Sequence, residues 1–409
     1  MARITIVSAG HLATCPRMLK AADALSGIGY DVRVVSPLLS DRLATIDRAL
    51  HARRIWRWFP VPLGRAQAPM RWLLSGSRVK VARRVAAALG NLRPHRVAIY
   101  AYSRGYKELT NAILQERSDL IYAGTNGAIT AALDAAARAG VPCGIDFEDF
   151  HCGELTAAGD GHLINSLAGA VMQDASQRAA FVTAAGEAVA RACAERFGRE
   201  PIVINNVFSL PAPPRRRTRT GPLRLYWFSQ TIGQGRGIED VIDAAGWVGL
   251  PIELHLRGVP VPGYIEQLRT QAAAASPLLT LAVHQPTDPD AMIGSCDAFD
   301  AGLGVEPGSS ENNRLVLSNK TLTYPLAGLA LVLTETPGQQ PLADTLDGDA
   351  IVYGAGNTRA LADGLRRWAR DRPTLERARS AAWEAARTRW HWEYPSERDR
   401  LLATIRSFV

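Results

Sequence analysis

The chain has 409 residues and a formal net charge of +8, with 47% hydrophobic, 21% charged and 7% aromatic residues. At ~150 residues per domain this length fits two or three domains, and so apolar a composition excludes a disordered chain. Its 35 Gly and 24 Pro follow no short repeat, which excludes a collagen-like one. Five cysteines (Cys15, Cys143, Cys152, Cys193, Cys296) form no CxxC pair and are odd in number. A reduced compartment therefore fits better than a disulfide scaffold.

The opening run MARITIVSAGH meets Gly and His too early for a signal peptide and reads as a first buried strand, Arg3–Ser8. A loop over Ala9–Cys15 leads into a helix opened by Pro16 and running to about Ser26, and Tyr30–Ser36 is a second strand. Strand, crossover helix, strand is the start of a parallel doubly wound sheet. The first βα loop lacks GxGxxG, so the dinucleotide fingerprint is absent, although Gly10 and His11 stand where a ligand would approach the strand end.

Residues 51–100 hold eleven Arg or Lys, no Asp or Glu, and Trp56, Trp58, Phe59 and Trp72. Basic side chains interleaved with amphipathic rings suit an anionic membrane surface or a lipid-linked substrate, with Arg53, Arg54, Trp56, Arg57, Trp58 and Trp72 as the surface residues. The same composition also suits a nucleic-acid groove or a solvated Arg-rich helix. The longest later apolar run, Leu326–Leu333, is far below the ~20 residues of a membrane-spanning helix.

The α/β rhythm continues with a strand Asp119–Ala123, a helix Ala128–Ala139 and a strand Pro142–Asp146. A strand Ala180–Ala184, a helix through Phe197 and a strand Pro201–Asn205 follow. Ser209–Gly221 (SLPAPPRRRTRTG) has the Pro/Arg composition of an interdomain linker. The rhythm then restarts with strands Leu223–Phe228, Glu253–Arg257, Leu279–Val283, Phe299–Gly304 and Ala330–Thr334. Helices Ile238–Ala245, Tyr264–Ala275 and Lys320–Leu326 alternate with them, and Arg359–Val409 is helical almost throughout. The boundaries predicted are a first Rossmann-like domain 1–208, a linker 209–221, a second Rossmann-like domain 222–385, and a closing helix 386–409 that packs back on the first domain. Two doubly wound domains of this kind face each other across a central cleft at the carboxyl ends of their sheets.

DPD (Asp288–Asp290) and DGD (Asp347–Asp349) resemble metal-binding pairs, but turn and capping chemistry explain them better. The most specific stretch is SNKTLTYPLAGLALVLT, Ser318–Thr334. It sets Lys320 at the head of a short helix, where free backbone N–H groups and a full positive charge make a diphosphate site.

That stretch resembles the KxxEYxAxGxPV element of GT-B-fold glycosyltransferases, those of glycosyltransferase family 4 and relatives. The opening PRxxKxAxxLxxxGY unit, FVTAAGEAVARACAERFG with IVINN, WFSQTIGQGRGIEDVIDAA and RTRWHWEYPSERDRLL resemble further elements of that family in the same order. The Lys320–Tyr324 spacing is also similar to that of the membrane-associated xanthan glucuronosyltransferase. The resemblance implies a GT-B fold and transfer from a nucleotide-diphosphate sugar, most simply a UDP-sugar, with no cofactor and no metal. It also implies a lipid-linked or glycan acceptor in bacterial cell-surface polysaccharide synthesis, on a cytoplasmic protein peripheral to the inner face of the cell membrane. Nucleic acid is not an expected partner.

By the same resemblance, Ser229, Gln230, Arg236, Gly237, Glu311, Ser318, Asn319, Lys320, Thr323 and Tyr324 hold the donor. Gln230 stands where the family has arginine, Arg236 where it has lysine and Thr323 where it has glutamate. The first-domain loop DFEDFH puts Glu148 at the place of a donor-contacting histidine, with Asp149 beside it and His151 close by. A carboxylate there fits the general base that an inverting transfer requires, and any of Glu148, Asp149 and His151 can fill that role. Two other classes fit parts of the pattern: a nucleotide-sugar 2-epimerase of the same fold, and a non-catalytic nucleic-acid or scaffold protein.

Overall fold

The computed structural model describes every residue except 157–158, 215–219, 289–290 and 394–396, together with the Asn91 side chain. The chain divides into two compact units: residues 1–205 with 398–409, and residues 206–397.

In the first unit, runs such as RITIVS and DVRVVSPL are apolar on both faces, as strands covered by helices on both sides must be. Seven parallel strands result: β1 (Arg3–Ser8), β2 (Asp31–Leu38), β3 (Arg57–Pro62), β4 (Leu120–Gly124), β5 (Cys143–Phe147), β6 (Phe181–Ala184) and β7 (Ile202–Val203). Their order is β3-β2-β1-β4-β5-β6-β7, the arrangement of a doubly wound sheet. Register places Ser8 beside Gly124, Gly124 beside Asp146, and Phe147 beside Ala184. The loops after β1, β4, β5 and β6 therefore leave from one edge.

Strand β3 runs through the basic aromatic block, with Trp58 opposite Val34 of β2. The sequence reading missed it because two prolines interrupt its alternation; as an edge strand it tolerates them. The helix Pro69–Leu89 follows.

The second unit repeats the plan with six parallel strands: β8 (Leu223–Ile232), β9 (Ile252–Pro260), β10 (Leu279–His284), β11 (Ala301–Gly304), β12 (Ala330–Thr334) and β13 (Ile351–Tyr353). Their order is β10-β9-β8-β11-β12-β13. A continuous core of Leu225, Trp227, Leu254, Leu303, Val332 and Trp368 fills the space between strands and helices. Strand β13, three residues long, escaped the sequence reading.

The expected helical tail resolves into helices Thr358–Arg370, Arg372–Thr388 and Arg398–Arg406, the first two belonging to the second unit. The last packs in the first unit, where Phe408 stacks on Phe181 with ring centroids 5.0 Å apart. Residues 209–214 carry no regular secondary structure. Part of the linker reading (215–219), of the DPD pair (289–290) and of the closing WEYPS segment (394–396) lies outside the described residues. DGD forms a turn, with Asp347 and Gly348 at φ 46° and 82° and the Asp349 N–H on the Leu346 carbonyl. All five cysteines are buried thiols. Among the described residues no helix is long and apolar enough to cross a membrane.

Candidate functional site

The loop after β5 carries the acidic cluster of the first unit. Its base is a buried ion pair: Arg17, the second residue of the helix opened by Pro16, meets Asp146 in β5 through Nε and Nη2 at 2.7 and 2.6 Å. Its remaining Nη1 donates to the Ile204 carbonyl at 2.7 Å, and the Thr183 hydroxyl donates to Asp146 at 2.5 Å. A bidentate pair with a third bond to the backbone fixes the strand end from which DFEDFH leaves.

Glu148 and Asp149 are half-buried and His151 is buried. Burial, reinforced by the neighbouring Asp149 charge, pushes the Glu148 carboxyl up to about 7, which Arg17 only partly offsets. Glu148 thus exchanges a proton near neutrality. His151 Nδ1 bonds Glu154 at 2.5 Å, while its Nε2 is buried and has no hydrogen-bond partner. Burial opposes the charged imidazole, but the bond and charge of Glu154, with Asp149 and Glu148, outweigh it and raise its pKa. Donor atoms of Asp149, His151 and Glu154 lie within 4.8 Å of one another, a set able to hold a divalent cation. The short Nδ1–Oε1 contact makes the His151–Glu154 pair a charge-assisted hydrogen bond instead.

His11 does not present itself to a ligand, contrary to the sequence expectation. Its Nε2 accepts backbone N–H groups of Leu39 and Ser40 at 3.0 and 3.1 Å, so its proton sits on Nδ1. Nδ1 donates to the buried Asp47 at 2.6 Å, and Asp47 also accepts the Ala13 N–H. Both ring nitrogens are spent on bracing the loop. Gly10 is partly exposed, and a Cβ there would meet Thr14 Oγ1 at 2.9 Å.

In the second unit, Lys320 occupies the first turn of the helix Asn319–Leu326, beside the carboxyl ends of β8, β11 and β12. It is buried, its Nζ lies 5.5 Å from the Trp227 ring, and it is ion-paired with Glu306 just beyond β11. Burial pushes its ammonium down to about 7, well below the ordinary lysine value, and the Arg236 charge acts the same way. Among the described residues three buried polar atoms, Glu306 Oε2, Trp227 Nε1 and Gln339 Oε1, have no hydrogen-bond partner.

Arg236 is exposed, with one Nη 3.4 Å from Ser229 Oγ. Gly237 makes this loop possible: at φ 75°, an added Cβ would stand 1.7 Å from the Val305 carbonyl oxygen. Gln230, Glu311 and Asn319 are exposed and Ser318 half-buried; Asn319 Oδ1 accepts from Asn206 at 2.6 Å.

Two donor-binding expectations are corrected. Tyr324 is fully buried, its ring packed so closely on β11 that a Cβ at Gly302 would lie 2.1 Å from it. Thr323 is buried and its hydroxyl donates to the Asn319 carbonyl of its own helix at 2.8 Å. Sequence reasoning missed Glu306, Asp47, Asp146 and Glu154. Glu306 had a signal, a carboxylate ending the apolar run AGLGV at a strand's carboxyl end.

The basic block is also rearranged. Trp56 is buried, its Nε1 bonded to Asp23 at 2.7 Å, and so is not a surface residue. Trp58 is half-buried with Nε1 on Ser36, Arg54 pairs with Asp23, and Arg57 pairs with Glu116 and Asp31. Arg53 is exposed, and Trp72 is part-exposed between Arg65 and Arg104. The helix Pro69–Leu89 exposes Met70, Leu73, Leu74, Val81, Val85 and Leu89. At 100° per residue these spread over about 160° of one solvent-facing side, with Arg84 among them and Arg71 and Lys80 at its edges.

No protein-family model and no curated protein matches the chain. Solved structures do match over the full length. HepE of Anabaena in complex with UDP and glucose is similar at 16% identity and TM-score 0.68, covering all of both chains. TarM of S. aureus, in a complex containing UDP, is similar at 9% identity and TM-score 0.70 over 100% of this chain and 99% of that one. Sucrose-phosphate synthase of Thermosynechococcus elongatus is similar at 12% identity and TM-score 0.67, with 100% and 99% covered. The chain has the GT-B glycosyltransferase fold. The narrower likenesses to family 4 and to the xanthan enzyme gain no support from these comparisons.

Proposed function

We propose that this protein is a glycosyltransferase that moves a sugar from a UDP-sugar to a lipid-linked or glycan acceptor in polysaccharide synthesis at the inner face of the cell membrane. The observation that carries the reading is Lys320, a buried lysine ion-paired with Glu306 at a helix head beside the strand ends of a GT-B fold, with Arg236 near it. In the reaction the acceptor hydroxyl attacks the anomeric carbon as the bond from that carbon to the diphosphate breaks. Lys320 and Arg236 neutralise the negative charge that grows on the departing diphosphate. Glu148 takes the acceptor proton: its pKa near 7 suits a base at neutral pH, and it is more open to solvent than His151. A single displacement of this kind inverts the anomeric carbon.

The titration of UDP into wild-type and Lys320→Ala protein tests the donor assignment. A charge-assisted bond to phosphate contributes ~1.5–3 kcal/mol, so affinity should fall by about ten- to a hundredfold. Unchanged affinity in a folded Lys320→Ala protein would remove Lys320 from the donor site.

The acceptor side rests on the exposed stripe of Pro69–Leu89. Apolar side chains flanked by arginine and lysine, in a block without a single carboxylate, match an anionic bilayer lying along the helix. Each basic residue at such a surface contributes ~1 kcal/mol.

A further inference from the structure

The cation assigned to the donor is already occupied by an anion. Lys320 Nζ is held by Glu306, in a pocket where both side chains are nearly out of reach of water, at 7% and 11% exposure. Glu306 lies two residues beyond β11, whereas Lys320 is the second residue of the helix Asn319–Leu326; a chain distance of fourteen residues separates them. No local turn geometry forces them together. Thr334 Oγ1 donates to the Glu306 backbone carbonyl at 2.6 Å, so the backbone of Glu306 is fixed.

The carboxylate itself is loosely held. Only one of its oxygens is paired, with Lys320, and the other, Oε2, is buried without a hydrogen-bond partner. A buried carboxylate normally fills its oxygens with donors, so this one has a fixed backbone and an incompletely satisfied head. Two further buried polar groups are likewise unsatisfied among the described residues: Trp227 Nε1 has no acceptor and Gln339 Oε1 no donor. An unpaired indole N–H near an ammonium is what a second, oxygen-rich occupant would use.

We propose that Glu306 stands in for the donor's phosphate on Lys320, and that binding of a nucleoside diphosphate displaces its carboxylate from the ammonium. This rests on the donor reading above and adds to it a residue that sets how strongly anions compete for the site. The resident carboxylate keeps Lys320 charge-compensated while the site is empty, avoiding the cost of a lone buried cation. It also selects by charge: a phosphate oxygen bearing a full negative charge can replace it, and a neutral hydroxyl cannot. The released carboxylate becomes available to hydroxyls of the donor or to solvent.

Calorimetric titration with UDP tests this in four proteins: wild type, Glu306→Gln, Lys320→Ala and the double variant. Glu306→Gln keeps the shape and removes the competing charge, so UDP should bind at least about tenfold tighter than to wild type. In the Lys320→Ala background the same change should alter affinity by less than about twofold, since the two act through one contact. Weaker or unchanged UDP binding by a folded Glu306→Gln protein, when the wild type itself binds UDP, overturns the inference and leaves the donor reading standing. Failure of the wild type to bind UDP overturns both. A UDP complex of the unaltered protein answers without substitution: Glu306 should have left Lys320, and an intact Glu306–Lys320 pair beside bound UDP would refute the displacement.

Discussion

Replacing Glu148 by glutamine should make the protein more stable at alkaline pH and leave it unchanged in acid. Glu148 is half-buried at the end of β5, and burial together with Asp149 raises its carboxyl from 4.5 to about 7. Between those values the folded chain binds a proton that the unfolded chain has released. Stability therefore falls as pH rises through that window, and the full penalty is present above 7. The distance between 4.5 and about 7 corresponds to roughly 3 kcal/mol of destabilisation, reduced where Asp149 shares the titration. Glutamine carries no charge at any pH and escapes the penalty. Denaturant unfolding, followed by a probe in the first unit, at pH 5 and pH 8.5 measures the difference. The variant should gain about 2–3 kcal/mol on wild type at pH 8.5 and much less at pH 5. A gain of equal size at both pH values, or a loss at pH 8.5, would refute a raised carboxyl at this site.

Arg17→Met leaves Asp146 buried and unpaired and should cost about 3–5 kcal/mol of stability, read from the same unfolding curves. Gly237→Ala forces a side chain against the Val305 carbonyl in a left-handed conformation, so UDP affinity should drop together with thermal stability as the Arg236 loop is pushed away. Leu73→Ser with Leu74→Ser and Val81→Ser should abolish co-sedimentation with anionic vesicles at low salt while leaving UDP binding intact. Neutral vesicles should recover little protein, and salt should weaken the anionic binding, because exposed charges are screened beyond ~10 Å at 0.1 M. Equal recovery with both lipid types, or preference for nucleic acid, would remove the membrane surface.

Much of the fold was legible because the strands are short apolar runs between helical patterns, and eleven of them carry no competing signal. β3 and β13 lacked that signal: prolines break the first, and the second is three residues long. Lys320 was legible from a motif, but its partner was not, since Glu306 meets it only after β11 and the helix Asn319–Leu326 are folded together. The same holds for His11, whose two nitrogens are consumed by Asp47 and the backbone of residues 39 and 40. Trp56 and the stripe from Met70 to Leu89 show the opposite failure. Charge and aromatic content marked the right block, yet composition cannot tell which ring is buried on Asp23 and which aliphatic residues face outward. With apolar residues on both its sides, the helix Pro69–Leu89 had no clear amphipathic signature to read.

The central claim is sugar transfer with Glu148 as the base and Lys320 at the leaving diphosphate. Release of UDP from a panel of UDP-sugars, by wild type, Lys320→Ala and Glu148→Gln, tests it most directly. The account predicts that wild type releases UDP from at least one sugar donor and that Glu148→Gln is slower by ~10²–10⁴-fold with UDP affinity near normal. Lys320→Ala should lose both turnover and UDP affinity. Absence of UDP release from every donor, isomerisation of the UDP-sugar in place of its cleavage, or undiminished turnover by Glu148→Gln would contradict it.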